Sequence, residues 1–155
     1  NNKVAKEEIV NLSQISKGKN IFLVNNNNII NKIKQNAYIE NVKVHRKLPN
    51  VIILKVEERQ ATYSLQIGEK YAYINNQGYI LEISQSNNNL TQIISYKTKI
   101  EDIKPGGRLE KDDLEMLGTI LKIMEVANNN GIGNLITSIN IESKNNIILR
   151  IESER

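Results

Sequence analysis

Between Lys3 and Leu12 the apolar residues Ala5, Ile9 and Leu12 share one helical face, and Glu7 and Glu8 fall in the first turn, where the helix dipole favours acids. The spacing predicts a short helix over Ala5–Leu12 that stops by Gly18. After NIFLV a second helix is predicted from Asn27 to Gln35, with Ile29 or Ile30, Ile33 and Ala37 on one face. The period then drops from about 3.6 to about 2. Val42 and Val44 point one way, Lys43, His45 and Lys47 the other, and beyond Leu48-Pro49-Asn50 the residues Ile52, Leu54 and Val56 supply a matching apolar face. This is a hairpin, with Pro49 kept out of the ladder because it has no amide hydrogen. Two helices on one face of so small a sheet form a thin α+β layer, and a third strand ahead of Asn1 would complete it.

From Ala61 the pattern is mainly that of strands. ATYSLQI, KYAYIN and YILEIS, separated by Gly68-Glu69 and by Asn75 to Gly78, predict a meander, with TQIISYK as a further strand. Pro105-Gly106-Gly107 precedes the longest helix, expected over Lys111–Ala127 with Leu114, Leu117, Ile120 or Leu121, and Met124 as its apolar stripe. LITSINIES and IILRIE then form a last hairpin turning around Lys144 to Asn146, with Ile139 and Ile141 facing inward opposite Ile147 and Leu149. The change of period and element order near Arg59 and Gln60 divides the chain into domains of residues 1–60 and 61–155. The fold class is α+β: two helices on a small sheet, followed by an antiparallel β domain with one long helix.

Composition narrows the function. Hydrophobic residues make up 39% and charged residues 25%, as in folded water-soluble domains. No apolar run approaches the roughly 18 residues that span a bilayer. The start shows neither an initiator Met nor a signal-peptide pattern, so the chain reads as a fragment or a processed form. Zero cysteines exclude disulfides and thiolate metal sites. A net charge of +4 favours anionic surroundings without naming one.

No catalytic, cofactor or metal site is expected. The single histidine, His45, lies on the polar side of a strand with Lys43 and Lys47 as neighbours and no carboxylate placed to orient it. Asp112 and Asp113 lack the spacing of a calcium loop and read as favourable charges at a helix start. GIGNL follows a helix and leads into a strand, the reverse of a dinucleotide fingerprint, and PGGRLEKDD lacks the ending of a phosphate loop. Lys43, Arg46, Lys47, Lys97, Lys99 and Lys104 could form a basic patch, but 5% aromatic content supplies few stacking platforms for nucleic acid. These features describe a module that works by being bound.

Three stretches in order, EEIVNLSQISKGKNIFLV, IINKIKQNAYIENVKVHRKLPNVIILKVEER and YAYINNQGYILEIS, resemble the extracytoplasmic part of the FtsQ/DivIB bacterial cell-division proteins. The first two resemble a POTRA domain and the third the start of that family's β domain. The most specific segments are Gly18-Lys19-Asn20-Ile21-Phe22, Arg46-Lys47-Leu48-Pro49 and Val56-Glu57-Glu58-Arg59. Gln60 stands where a Pro often follows, Asn75 where an Asp often precedes the turn glycine, and Thr91 where a Leu-Pro step is common.

The resemblance implies a non-enzymatic, single-pass membrane protein at the division septum, with this region on the extracytoplasmic side and one membrane helix ahead of Asn1. It also implies a scaffold that binds FtsL and DivIC/FtsB type proteins, with a septal penicillin-binding protein as a further partner, and that helps control septal peptidoglycan synthesis. The alternative is a POTRA-type module of an envelope transport or assembly machine. The last hairpin leaves one edge without a later strand, so Asn146, Ile148, Arg150 and Glu152 are the candidate partner-binding residues. A terminal strand following Arg155 is the other possible occupant of that edge.

Overall fold

The computed structural model describes residues 3–143 and 145–152, and the chain divides into two compact units, Asn1–Arg59 and Gln60–Arg155. In the first, helix α1 (Lys6–Ser13) and helix α2 (Asn26–Ile33) accompany an antiparallel pair, β1 (Ile39–Lys47) and β2 (Val51–Glu58). Both helices lie within a residue or two of their expected bounds. Asn25 explains where α2 begins: its side chain accepts the Asn28 amide and so caps the helix. The hairpin register pairs Val42 with Val56 and Val44 with Leu54, and sets His45 opposite Ile53. Alternation had placed the apolar face correctly. Ile29, Ile33, Ile39 and Val42 are buried, whereas Leu54 is only half-buried.

The three specific segments of this unit turn out to be its fasteners. Asn20 accepts the Phe22 amide and seats a short 3-10 turn, Ile21–Leu23, in which Ile21 is buried. Arg46 donates through its guanidinium to the Val24 carbonyl, joining that loop to the hairpin. At the opposite end, Glu58 accepts the backbone amides of Lys3 and Val4, and the Arg59 guanidinium donates to the carbonyls of Ala37 and Ile39. Charged groups placed on main-chain partners in this way form stronger hydrogen bonds than neutral pairs.

The second unit is a six-stranded sheet in the order β5-β4-β3-β6-β7-β8. Its strands are β3 (Tyr63–Ile67), β4 (Lys70–Ile74), β5 (Ile80–Ser84), β6 (Thr91–Ile93), β7 (Ile136–Ser143) and β8 (Asn146–Ile151), with helix α3 (Lys111–Asn129) between β6 and β7. The meander β3-β4-β5 and the hairpin β7-β8 are antiparallel, as expected, but β6 runs parallel to both β3 and β7. For β7 the cause is the connection, since a strand that returns through a helix arrives parallel to the one it left, whereas β6 reaches β3 by crossing from β5 at the far side of the meander. Leu117, Ile120 and Ala127 of α3 are buried in the core with Leu65, Ile74, Ile80, Ile93, Ile136 and Ile139.

The turn between β4 and β5 accounts for one departure from the family pattern. Asn75, itself buried, accepts the amides of Gln77 and Tyr79 through Oδ1, a task that either an Asn or an Asp oxygen performs. Gly78 has φ 78°, and a Cβ there would meet Leu114 Cδ2 at 2.4 Å. The left-handed backbone is what calls for glycine, since the Leu114 methyl lies at the far end of a flexible side chain.

One expectation is overturned. Ile147 and Leu149 do not belong to the core: they are 38% and 36% exposed, and no residue of β8 is buried. The buried core under α3 reaches Ile136 and Ile139 on β7, with Ile141 packed part-buried against it, and no β8 residue joins it. Of the turn expected around Lys144 to Asn146, Lys144 lies outside the described residues.

Candidate partner-binding edge

Among the described residues strand β8 pairs on one side only, with β7, through Ser138↔Arg150, Ile139↔Leu149, Asn140↔Ile148 and Ile141↔Ile147. The Glu152 amide donates to the Leu135 carbonyl at 2.9 Å, which fixes the phase of the strand. In an antiparallel pair, alternate residues direct both main-chain groups at the neighbour. Arg150 and Ile148 therefore share the direction of Glu152, toward β7, while Ile147, Leu149 and Ile151 present N–H and C=O groups to the open edge. The side chains are apolar on both faces: Ile147, Leu149 and Ile151 on the helix side, and Ile148 between Asn146 and Arg150 on the other.

The four residues singled out from sequence are thus brought together in part. Asn146, Ile148 and Arg150 line one face of β8, exposed, and Glu152 follows the strand's end with its amide already engaged. Asn146 is held as well, its side-chain amide donating to Glu142 at 2.6 Å. Sequence reasoning missed Leu149 and Ile151, because alternation had assigned the odd-numbered positions of this strand to the core.

A cleft of about 690 Å³ opens beside the hairpin, lined by Tyr96, Met116, Ile141 and Ile147 with Asp112, Glu115 and Glu142 at its rim. Asp112 pairs with Lys97 at 2.8 Å, and that hydrogen bond and charge hold its carboxyl below the ordinary aspartate value. Burial, with the Asp113 charge second, pushes the Tyr96 hydroxyl above its ordinary value, and that hydroxyl donates to the Gln66 carbonyl at 2.7 Å.

The floor of this region is organised by Asp113, which was read from sequence as a favourable charge at a helix start and does stand in the first turn of α3. It is 2% exposed, and its carboxylate accepts the amides of Lys97 and Thr98 and the Thr98 hydroxyl. The Thr98 oxygen in turn accepts the Glu110 amide at 3.0 Å, tying the segment after β6 to the first turn of α3. A signal was present: Asp113 stands four residues before Leu117 and seven before Ile120, in phase with the buried stripe.

Among the described residues no cluster of histidine, aspartate and glutamate could hold a metal ion, and no helix is long and apolar enough to cross a membrane. His45 is exposed on the outer face of β1–β2. His45→Ala is expected to shift a thermal melting profile by no more than the equivalent of about 0.5 kcal/mol, as for other unburied positions; a larger loss would show that the imidazole has a structural partner.

Comparison with known proteins matches the first unit to the family model for the POTRA domain, FtsQ-type, over residues 1–59. A cell division protein DivIB of Clostridium tetani is 34% identical to 97% of this chain, over 57% of its own length. The chain belongs to the FtsQ/DivIB family. Similarity extends to a DivIB of Clostridium acetobutylicum, 34% identical over 83% of the chain and 53% of that protein. It extends also to a cell division protein FtsQ of Rickettsia bellii, 36% identical over 50% of the chain and 28% of that protein. The chain spans about half the length of the DivIB relatives it matches.

Proposed function

We propose that this FtsQ/DivIB chain is the extracytoplasmic part of a non-enzymatic scaffold of the division machinery, anchored by a single membrane helix. In this reading β8 captures a short extended segment of an FtsL or DivIC/FtsB type partner, and the captured assembly helps control septal peptidoglycan synthesis. The relatives' designation as cell division proteins supports the general role. The observation that carries the docking site is β8 itself: three main-chain positions unpaired at an open edge, flanked by isoleucine and leucine side chains on both faces. Strand addition uses these features together, with main-chain bonds giving affinity and alternate side chains giving register. The neighbouring cleft, acidic at its rim and apolar within, extends the surface toward a partner segment that carries lysine or arginine.

The test is a binding titration of this chain with a soluble extracytoplasmic fragment of such a partner. Leu149→Pro removes an amide that points to the open edge and no amide used within the chain. It is expected to weaken binding by about tenfold or more while leaving the melting profile close to wild type. Arg150→Pro removes an amide aimed at β7 and should instead loosen the hairpin. Unchanged affinity in a folded Leu149→Pro variant would sink the proposal. If the Ile147, Leu149 and Ile151 amides of the full-length protein resist hydrogen exchange without any partner, the edge is filled from within the chain and docking lies elsewhere.

A further inference from the structure

The first unit carries its charges in two separate places. Its acids, Glu7, Glu8, Glu40, Glu57 and Glu58, sit toward the open end of the hairpin: Glu58 receives the Lys3 amide, and Glu8 the Asn36 side chain just ahead of β1. No acid occurs from 9 to 39 or from 41 to 56. The opposite end, where the loop 16–24 meets the hairpin turn through Arg46 and Val24, therefore carries cations only, Lys17, Lys19 and Lys47 among them, none ion-paired among the described residues. A strand the length of β1 separates the two ends by roughly 25 Å, well beyond the screening length of about 8 Å at physiological salt. The cationic end thus acts on its surroundings undiminished by the acids.

That same end displays large apolar side chains. Leu23 is 84% exposed, Phe22 67% and Leu48 66%, while Ile21 beside them is buried and Asn20 caps the turn that presents them. A cleft in this unit is lined by Lys17, Lys19, Ile21, Val24, Asn50 and Ile52, and Phe22, Leu23 and Leu48 are exposed outside it. A soluble polyanion would be met by the lysines alone and would leave the phenylalanine and leucines in water. A bilayer interface takes both kinds of side chain, the rings and aliphatic groups below the headgroups and the ammonium groups among the phosphates.

We propose that this end of the first unit is a peripheral membrane-docking tip that inserts Phe22, Leu23 and Leu48 into the interface of an anionic phospholipid bilayer, held there by Lys17, Lys19 and Lys47. The proposal goes beyond the partner-binding reading and uses no residue of the second unit. It is tested by flotation of the chain with vesicles of equal parts phosphatidylglycerol and phosphatidylcholine, against vesicles of phosphatidylcholine alone. Binding is expected only to the anionic vesicles and to fall steeply between about 50 and about 500 mM salt. Lys17→Glu combined with Lys19→Glu should reduce it by about tenfold or more, whereas the same change of charge at Lys70 and Lys122 in the second unit should alter it by less than about twofold. Phe22→Ser with Leu23→Ser should reduce it by about tenfold.

The chain has no tryptophan, so Phe22→Trp adds a single reporter that does not depend on a disruptive variant. Its emission should shift to the blue with anionic vesicles and be quenched by brominated lipid, and it should not shift with polyphosphate. No binding to anionic vesicles, or no blue shift on vesicles that do bind, overturns the proposal. Polyphosphate binding with full affinity retained by the Phe22→Ser, Leu23→Ser variant assigns the tip to soluble polyanions instead.

Discussion

Asp113→Ala is expected to destabilise the second unit by about 2 to 4 kcal/mol, read as a drop in the urea midpoint of that unit. Its carboxylate is the shared acceptor for two amides and a hydroxyl, those of Thr98 buried and that of Lys97 part-buried, and a methyl group would leave those donors without partners. Each buried donor left unsatisfied costs about 1 to 3 kcal/mol, and local relaxation recovers part of the sum. Asp113→Asn keeps one acceptor oxygen but loses the charge that strengthens the bonds, so its midpoint should fall between those of alanine and wild type. A midpoint unchanged in the alanine variant would mean that the loop after β6 is held by something other than this carboxylate.

The second large effect belongs to the first unit. Ile33→Ala, at a fully buried side chain on α2, is expected to cost about 2 to 5 kcal/mol. For a unit of this size that is a large share of the whole stability, so the substitution should melt residues 1–59 at or near ambient temperature. We further propose that the two units unfold separately. Hydrogen exchange on the variant should then show the amides of α1, α2, β1 and β2 losing protection while those of β3, β4 and α3 keep it. Equal loss in both units would show that they fold as one cooperative body.

The first hairpin could be read to the residue from sequence, because Lys43, His45 and Lys47 alternate with Val42 and Val44 and only one register buries the valines. The stripe of α3 was legible for the same reason. The same alternation misled at β8, where it shows that Ile147 and Leu149 share a face but not whether anything covers that face. Cover is a property of the whole sheet, and it depends on how far α3 reaches. Asp113 does stand in the first turn of α3, as expected, but its buried hydrogen-bonding role was not read, because the helix dipole already gave an acid there a sufficient local explanation and its phase with Leu117 and Ile120 went unused. The parallel pairing of β6 was not legible at all, since three residues carry too little pattern to reveal which neighbours they join. The exposure of Phe22 and Leu23 was not read, although Gly18 to Phe22 was singled out for its resemblance, because it depends on Ile21 taking the inward position.

The brevity of β6 has a mechanical consequence. The antiparallel meander and the final hairpin meet only through this strand, yet the seam is reinforced beyond its length. The Ile94 amide donates to the Ile139 carbonyl, the Thr91 hydroxyl to the Ile136 carbonyl, and the Ser95 hydroxyl to Asn140. Main-chain and side-chain bonds thus alternate along residues 91–95, and β6 and β7 run in the same direction. A pull applied through β8 along the sheet loads these bonds in shear, so that they resist together rather than opening one after another from an end. In the proposed arrangement, with an anchor ahead of the chain and a partner strand on β8, that seam would share the load between the two halves of the sheet.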